Sequence, residues 1–447
     1  MRQHQEKPST ERKPFKLPAY DEVALVLQGG GALGSYQAGV YEGLEEAGIH
    51  PNWISGISIG ALNTAIIAGN PPEKRAEALR GFWKTICQPA DMLGSLGAWA
   101  PLAMGLTDLS RKWSSLWAAG RALTEGQQGF FTPRFPVPVP GMGKRLPQEV
   151  SFYDTRALRA TLLQFADFDR INDGDIRVSV GAVNVRTGNL VYFDNTKMRL
   201  EPEHFMASGA LPPGFPAVEI DGEFYWDGGL VSNTPLTEVV SDPQHKDTLV
   251  FQVDLWSSSG VLPGDLLDVS ERAKDIQYSS RTRAITAMLG SNQRHAQLIK
   301  ELLKHLPEGL HNPLIQEARE VADGSAVNVV HLIYKNKAYE GHYKDYEFSI
   351  DTMEEHWQTG LDDIRASFGH PDWFEIPSHE SGFVTHDVHR AGDGAEKTRL
   401  TPALKPLHHP RKRTKVATKP AHLPAVASQD APPKGTVQET KRETTAS

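Results

Sequence analysis

Ser58 lies in Gly56-Ile57-Ser58-Ile59-Gly60, a G-x-S-x-G, and 29 positions earlier a glycine run, Gly29-Gly30-Gly31-Ala32-Leu33-Gly34, closes an apolar strand. Acyl transfer needs both features: a nucleophile exposed on a tight strand-to-helix turn, and backbone N–H groups aimed at a developing oxyanion. Trp53 and Ile54 lead into the turn, and Gly56 and Gly60 remove the Cβ atoms that would crowd it. Ala61–Ala68 then reads as a buried helix whose N-terminal dipole favours negative charge beside Ser58. A third element is Asp227-Gly228-Gly229, which follows Glu223–Trp226 and precedes Leu230–Leu236. Two glycines after an acid turn the chain sharply and leave the carboxylate at a strand end. Aspartate is a weak base in water, with a pKa of about 3.9, but desolvation raises it. A hydroxyl within hydrogen-bond reach then makes a Ser58–Asp227 dyad workable without histidine.

Each motif alone has a plainer reading. Ser58 suits an ordinary helix N-cap between two glycines, and Asp227 suits a β-turn. The glycine run also fits a dinucleotide-binding loop, with Val23–Leu27 as strand, Gly29-x-Gly31-x-x-Gly34 as fingerprint and Tyr36–Ala47 as helix. That fingerprint places an acidic residue about 20 positions on, at the end of the second strand, where this chain has the Ser58 turn instead. A Ser-acid-His order is met by His245, His295, His305, His331 and His342, all downstream of Asp227, but none stands in a recognisable loop signature. His408-His409 lacks the further ligands a metal site needs, so no metal and no cofactor are expected.

In their order, the three motifs resemble the patatin-like acyl hydrolase family, which shares a G-G-G-x-R/K-G loop, a G-x-S-x-G elbow and a D-G-G/A motif. Ala207–Val218, with its Leu211-Pro212-Pro213-Gly214-Phe215, is similar to the family's segment before the aspartate. The resemblance covers residues 21–240 and implies a three-layer α/β/α fold with a central, mostly parallel sheet. It implies Ser58 as nucleophile, Asp227 as general base and the amides around Gly30 and Gly31 as oxyanion hole. It implies a lipid or acyl-ester substrate cleaved at a carboxylic ester. Leu33 departs from the pattern, standing where the family commonly has Arg or Lys. A cation there would pair with a substrate phosphate, so Leu33 weakens the case for a phospholipid head group. Leu33 and the long C-terminal half also keep open a patatin-fold scaffold that binds acyl chains without turnover.

The remaining sequence must position these groups. Pro72–Ile86 and Tyr153–Phe168 read as helices, Ile176–Val183 as a strand, Arg186–Asn189 as a hairpin turn with Leu190–Phe193 returning, and Thr248–Leu255 as a buried strand. Strands separated by helices imply a largely parallel sheet covered on both faces. Residues 241–370 read as a mixed C-terminal extension of unknown role: a helix-rich stretch at 270–306, a strand at Val327–Tyr334 and a closing helix at Thr352–Phe368. It is similar to the extension that follows the patatin domain in some bacterial members. The stretch from Met92 to Phe135, with Trp99, Trp113 and Trp117, suits either an apolar cap over the acyl site or packing against the sheet.

Of 447 residues, a single cysteine, Cys87, excludes an internal disulfide and reads as a small buried hydrophobe. No apolar leader and no run of about 18 apolar residues appears, so the sequence predicts a cytoplasmic protein. Charge is uneven: residues 391–447 carry a net +6 and residues 1–20 a net +3, leaving −17 in the middle. Both ends read as polar tails, the last rich in Pro, Thr, Ala and Lys. Arg411, Lys412, Arg413 and Lys415 suit a solvated tail or peripheral contact with an anionic membrane surface. No nucleic-acid partner is expected, and the oligomeric state is not encoded legibly.

Overall fold

β1 (Glu22–Leu27) has apolar side chains on both sides: Leu25 and Leu27 enter one core cluster, and Ala24 and Val26 enter another. This is the two-residue period of a strand covered on both faces. The computed structural model describes residues 15–87, 118–138, 145–241, 246–280, 282–307, 312–322, 325–337, 340–378 and 382–387. The expected basic tail at 391–447, most of the N-terminal tail and residues 92–117 of the apolar stretch lie outside them.

The other strands are β2 (Trp53–Ile57), β3 (Thr132–Pro133), β4 (Tyr153–Asp154), β5 (Arg177–Asn184), β6 (Leu190–Asp194), β7 (Val218–Ile220), β8 (Glu223–Asp227), β9 (Thr248–Asp254), β10 (Val327–Ile333) and β11 (Phe383–Asp387). Nine of them form one sheet in the order β11-β10-β9-β1-β2-β5-β8-β7, with β6 also paired to β5. The pairings from β11 to β5 are parallel, and β6, β7 and β8 are antiparallel additions. β9 and β10, which lie beyond residue 240, continue the same sheet from β1.

Helices α1 (Ser35–Glu46), α2 (Ile59–Ala68) and α3 (Arg75–Ile86) build the larger core with the helix Ile350–Ser367. That closing helix runs against α1 so closely that a Cβ at Gly39 would lie 1.9 Å from the Trp357 carbonyl oxygen. On the other face, Leu236 and Val239 of the helix Leu236–Val240 cover Val26, Trp53, Val250 and Val329. The helix expected from Tyr153 starts only at Arg156, because Tyr153 and Asp154 pair with Pro133 and Thr132. It ends at Phe165, and Asp167 then caps a second short helix, Phe168–Asp173, by accepting from Asp169 and Arg170 N–H. Cys87 is buried, and burial raises its thiol pKa. Phe130 and Phe131, in the described part of the 92–135 stretch, are buried against Phe215 and Phe348. No helix among the described residues is long and apolar enough to cross a membrane.

Candidate active site

The register of β5 brings Ser58 and Asp227 together. β6 occupies one edge of β5 over Ser179–Val183. Both β2, paired through Gly181, and β8, paired from Ala182, therefore lie on the other edge. β2 runs parallel to β5 and β8 antiparallel, so the two meet end to end, with Ile57 opposite Gly181 and Asp227 opposite Ala182. Ser58 follows Ile57 directly. It has φ 55° and ψ −124°, a sparsely populated conformation, and heads α2 as its N-cap. Gly56 and Gly60 flank this turn, and a Cβ at Gly60 would lie 2.3 Å from the Leu27 carbonyl oxygen. The Ser58 N–H donates to Ser208 Oγ (3.0 Å), which itself donates to the Gly181 carbonyl (2.7 Å).

Asp227 is 2% exposed and accepts a hydrogen bond from the Gly229 N–H (2.7 Å). Desolvation pushes its pKa up to about 7, against the opposing pull of the nearby Ser58 hydroxyl and the Gly229 N–H. Gly228 and Gly229 begin the short 3-10 turn after it, and Gly228 packs against the Gly181 carbonyl. The end of the helix Leu266–Tyr278 reaches the same neighbourhood: the Tyr278 carbonyl accepts from Asn233 Nδ2 (3.0 Å), and burial with the charges of Asp227 and Asp345 raises the Tyr278 hydroxyl pKa.

The glycine loop lies beside Ser58: a Cβ at Gly29 would sit 3.0 Å from the Ser58 Cβ and 2.3 Å from Asn233 Oδ1. The Gly29 carbonyl accepts from Asn233 Nδ2 (2.9 Å) and Trp256 Nε1 (2.8 Å), and its N–H donates to the Asn233 carbonyl (3.1 Å). Gln28 anchors the loop from below. Its Oε1 accepts from Leu255 and Trp256 N–H, and its Nε2 donates to Thr234 and the Tyr278 carbonyl. Asn63 of α2 holds the far end, donating to the Gly34 carbonyl (3.0 Å). The Gly30 and Gly31 N–H groups donate to no acceptor among the described residues, and Gly31 has φ +56°.

Leu33 is fully buried in the larger core, so position 33 does not face a substrate head group, and the expectation built on it is corrected. Among the described residues the downstream histidines have no bond to Ser58 or Asp227. His331 is held by Asp254 (2.6 Å), and His295 and His305 are exposed on the surface. Ser208, Gln28, Asn233, Trp256 and Tyr278 carry no motif of their own. Ser208 and Asn233 lie in runs noted for other reasons, and Gln28 is marked only as a polar residue ending an apolar strand.

The fold and this cluster define an α/β protein with its polar groups gathered where parallel strands end. A family profile described as patatin-like phospholipase matches residues 25–240, and a second, described as patatin phospholipase, matches residues 276–380. The chain belongs to the patatin-like phospholipase family. It is 59% identical over 46 residues to the lysophospholipase nte1 of Aspergillus terreus, a match spanning 10% of this chain and 3% of that protein. Among solved structures, VipD from Legionella pneumophila aligns over 76% of this chain and 67% of its own, at 15% identity and a TM-score of 0.29. Human GIVD cytosolic phospholipase A2 aligns over 79% and 60% respectively, at 12% identity and a TM-score of 0.31.

Proposed function

We propose that this protein is a serine acyl hydrolase that cleaves carboxylic esters of lipids through an acyl-Ser58 intermediate. The observation that carries the reading is the end-to-end meeting of β2 and β8 on β5, which sets Ser58 beside a buried carboxylate whose pKa lies near neutrality. In the proposed reaction Asp227 takes the Ser58 proton as Oγ bonds to the ester carbon. Negative charge then builds on the former carbonyl oxygen, which the Gly30 and Gly31 N–H groups receive at the head of α2. Collapse breaks the bond to the alcohol oxygen, which leaves with the proton from Asp227. Water repeats the sequence, giving its proton to Asp227 while its oxygen attacks the acyl carbon, and Ser58 is released reprotonated.

The family supports a lipid substrate. With Leu33 buried, position 33 offers no ground for separating phospholipids from neutral esters. A fluorophosphonate probe should label Ser58 in the full chain and not in Ser58→Ala. Hydrolysis of p-nitrophenyl butyrate should fall by at least about a thousandfold in that variant. Absence of labelling in well-folded wild-type protein across pH and detergents would instead support the silent acyl-binding scaffold.

A further inference from the structure

Two Lys-Asp dipeptides, 70 positions apart, face each other beside the glycine loop. Lys274 pairs with Asp345 (2.6 Å) and Asp275 pairs with Lys344 (2.6 Å), each dipeptide giving one cation and receiving the other. The first pair is partly exposed; the second is buried, with the Lys344 side chain 1% and the Asp275 side chain 7% exposed. Lys274 also donates to the His342 carbonyl (3.1 Å), and Asn336 donates to the second oxygen of Asp275 (3.2 Å). The clasp joins the helix Leu266–Tyr278 to the short turn Lys344–Tyr346.

That turn touches the loop directly. The Asp345 carbonyl oxygen lies where a Cβ on Gly31 would be, 2.0 Å from its ideal position, so only glycine admits this contact. The second contact runs through Trp256. Lys344 Nζ lies 5.1 Å and Lys274 Nζ 5.8 Å from its ring centroid, and its indole N–H donates to the Gly29 carbonyl (2.8 Å). Moving the clasp therefore moves the backbone on both sides of Gly30.

We propose that the reciprocal Lys274–Asp345 and Asp275–Lys344 pairs are positioning residues that set the Gly29–Gly31 amides for the reaction, making the helix Leu266–Tyr278 and the turn Lys344–Tyr346 part of the catalytic apparatus. The proposal rests on the acyl hydrolase reading above. None of the four side chains touches Ser58 or Asp227; they act through the Asp345 carbonyl and Trp256.

The test uses the full-length chain and the partly exposed pair, whose side chains are 28% and 19% exposed. Lys274→Asp and Asp345→Lys each place like charges together, and the double variant restores attraction with reversed polarity. Each single variant should lower kcat for p-nitrophenyl butyrate by about tenfold or more with little change in KM, as a loosened oxyanion site requires. Hydrogen exchange at the amides of residues 29–34 should rise in the singles, and the double variant should recover both readouts. Lys344→Met, at the buried pair, should give the same exchange signature if it folds. Unchanged kcat and exchange in both singles would overturn the proposal, as would a double variant that stays as impaired as the singles. The exchange measurement needs no turnover. A wild-type protein that fails to label with fluorophosphonate therefore sinks the hydrolase reading, while exchange alone still decides whether the clasp holds the loop.

Discussion

Replacing Asp227 by Asn should silence the reaction and stabilise the protein, with a pH dependence that identifies the cause. Burial lifts the Asp227 carboxyl from its ordinary 3.8 to about 7. Each pKa unit corresponds to about 1.4 kcal/mol, so holding the ionised form in this site costs on the order of 4 kcal/mol relative to water. The native state binds this proton more tightly than the unfolded chain does. The stabilising contribution is therefore fully present below pH 3.8 and is lost as pH rises through about 7. Asn is neutral throughout and escapes that loss. Relative to wild type, Asp227→Asn should gain stability between acid and mildly alkaline pH by up to about 4 kcal/mol, read from urea unfolding by tryptophan fluorescence. Over the same range wild-type kcat/KM for a soluble ester should climb about tenfold per pH unit and level off above neutrality, while the variant stays inactive. Parallel stability curves for the two proteins would place Asp227 in a hydrated setting. A rate plateau already reached near pH 5 would mean that the base ionises near the ordinary carboxylate value, against a carboxyl raised by burial.

Other perturbations test the parts around it. Ser208→Ala takes the acceptor from the partly buried Ser58 N–H, so stability should fall by about 1 kcal/mol and the fluorophosphonate labelling rate should drop. Leu33→Arg should lower the unfolding free energy by several kcal/mol, on the order expected for an unpaired buried charge, without changing the ratio of phospholipid to neutral-ester hydrolysis in whatever folds. Gly31→Ala forces a Cβ onto the Asp345 carbonyl at φ +56°; kcat should fall sharply, and urea unfolding should register a loss of at least about 1 kcal/mol.

The mostly parallel sheet was legible because its central strands are continuous apolar runs, Val23–Leu27 and Thr248–Leu255, and such runs announce burial on both faces. The short antiparallel strand β7 was not, since three residues of mixed polarity carry no period, and β8 was legible only as the strand end that carries Asp227. Ser58, Asp227 and the glycine loop could be singled out because each depends on a local run of glycines. The groups that hold them are different. Ser208, Asn233, Trp256 and the two Lys-Asp dipeptides become neighbours of the loop only through tertiary contacts spanning up to some 300 residues, and nothing in their own segments marks them. Leu33 was misjudged for the same reason. A position where the family commonly carries Arg or Lys was taken to face the ligand, whereas the 3-10 turn Gly31–Gly34 rolls its side chain into the core.

The end-to-end meeting of β2 and β8 makes the spacing of Ser58 and Asp227 a quantised quantity. Both strands are ruled off against the hydrogen-bond ladder of β5, whose allowed positions come in whole residues. A slip of β8 by one step would carry Asp227 about 3.4 Å along the ladder and turn its carboxylate to the opposite face of the sheet. There is no intermediate setting at which the pair is merely somewhat too far apart. A preparation that has lost half its activity through damage to this sheet is then a mixture of intact and dead molecules, and its residual rate is a head count.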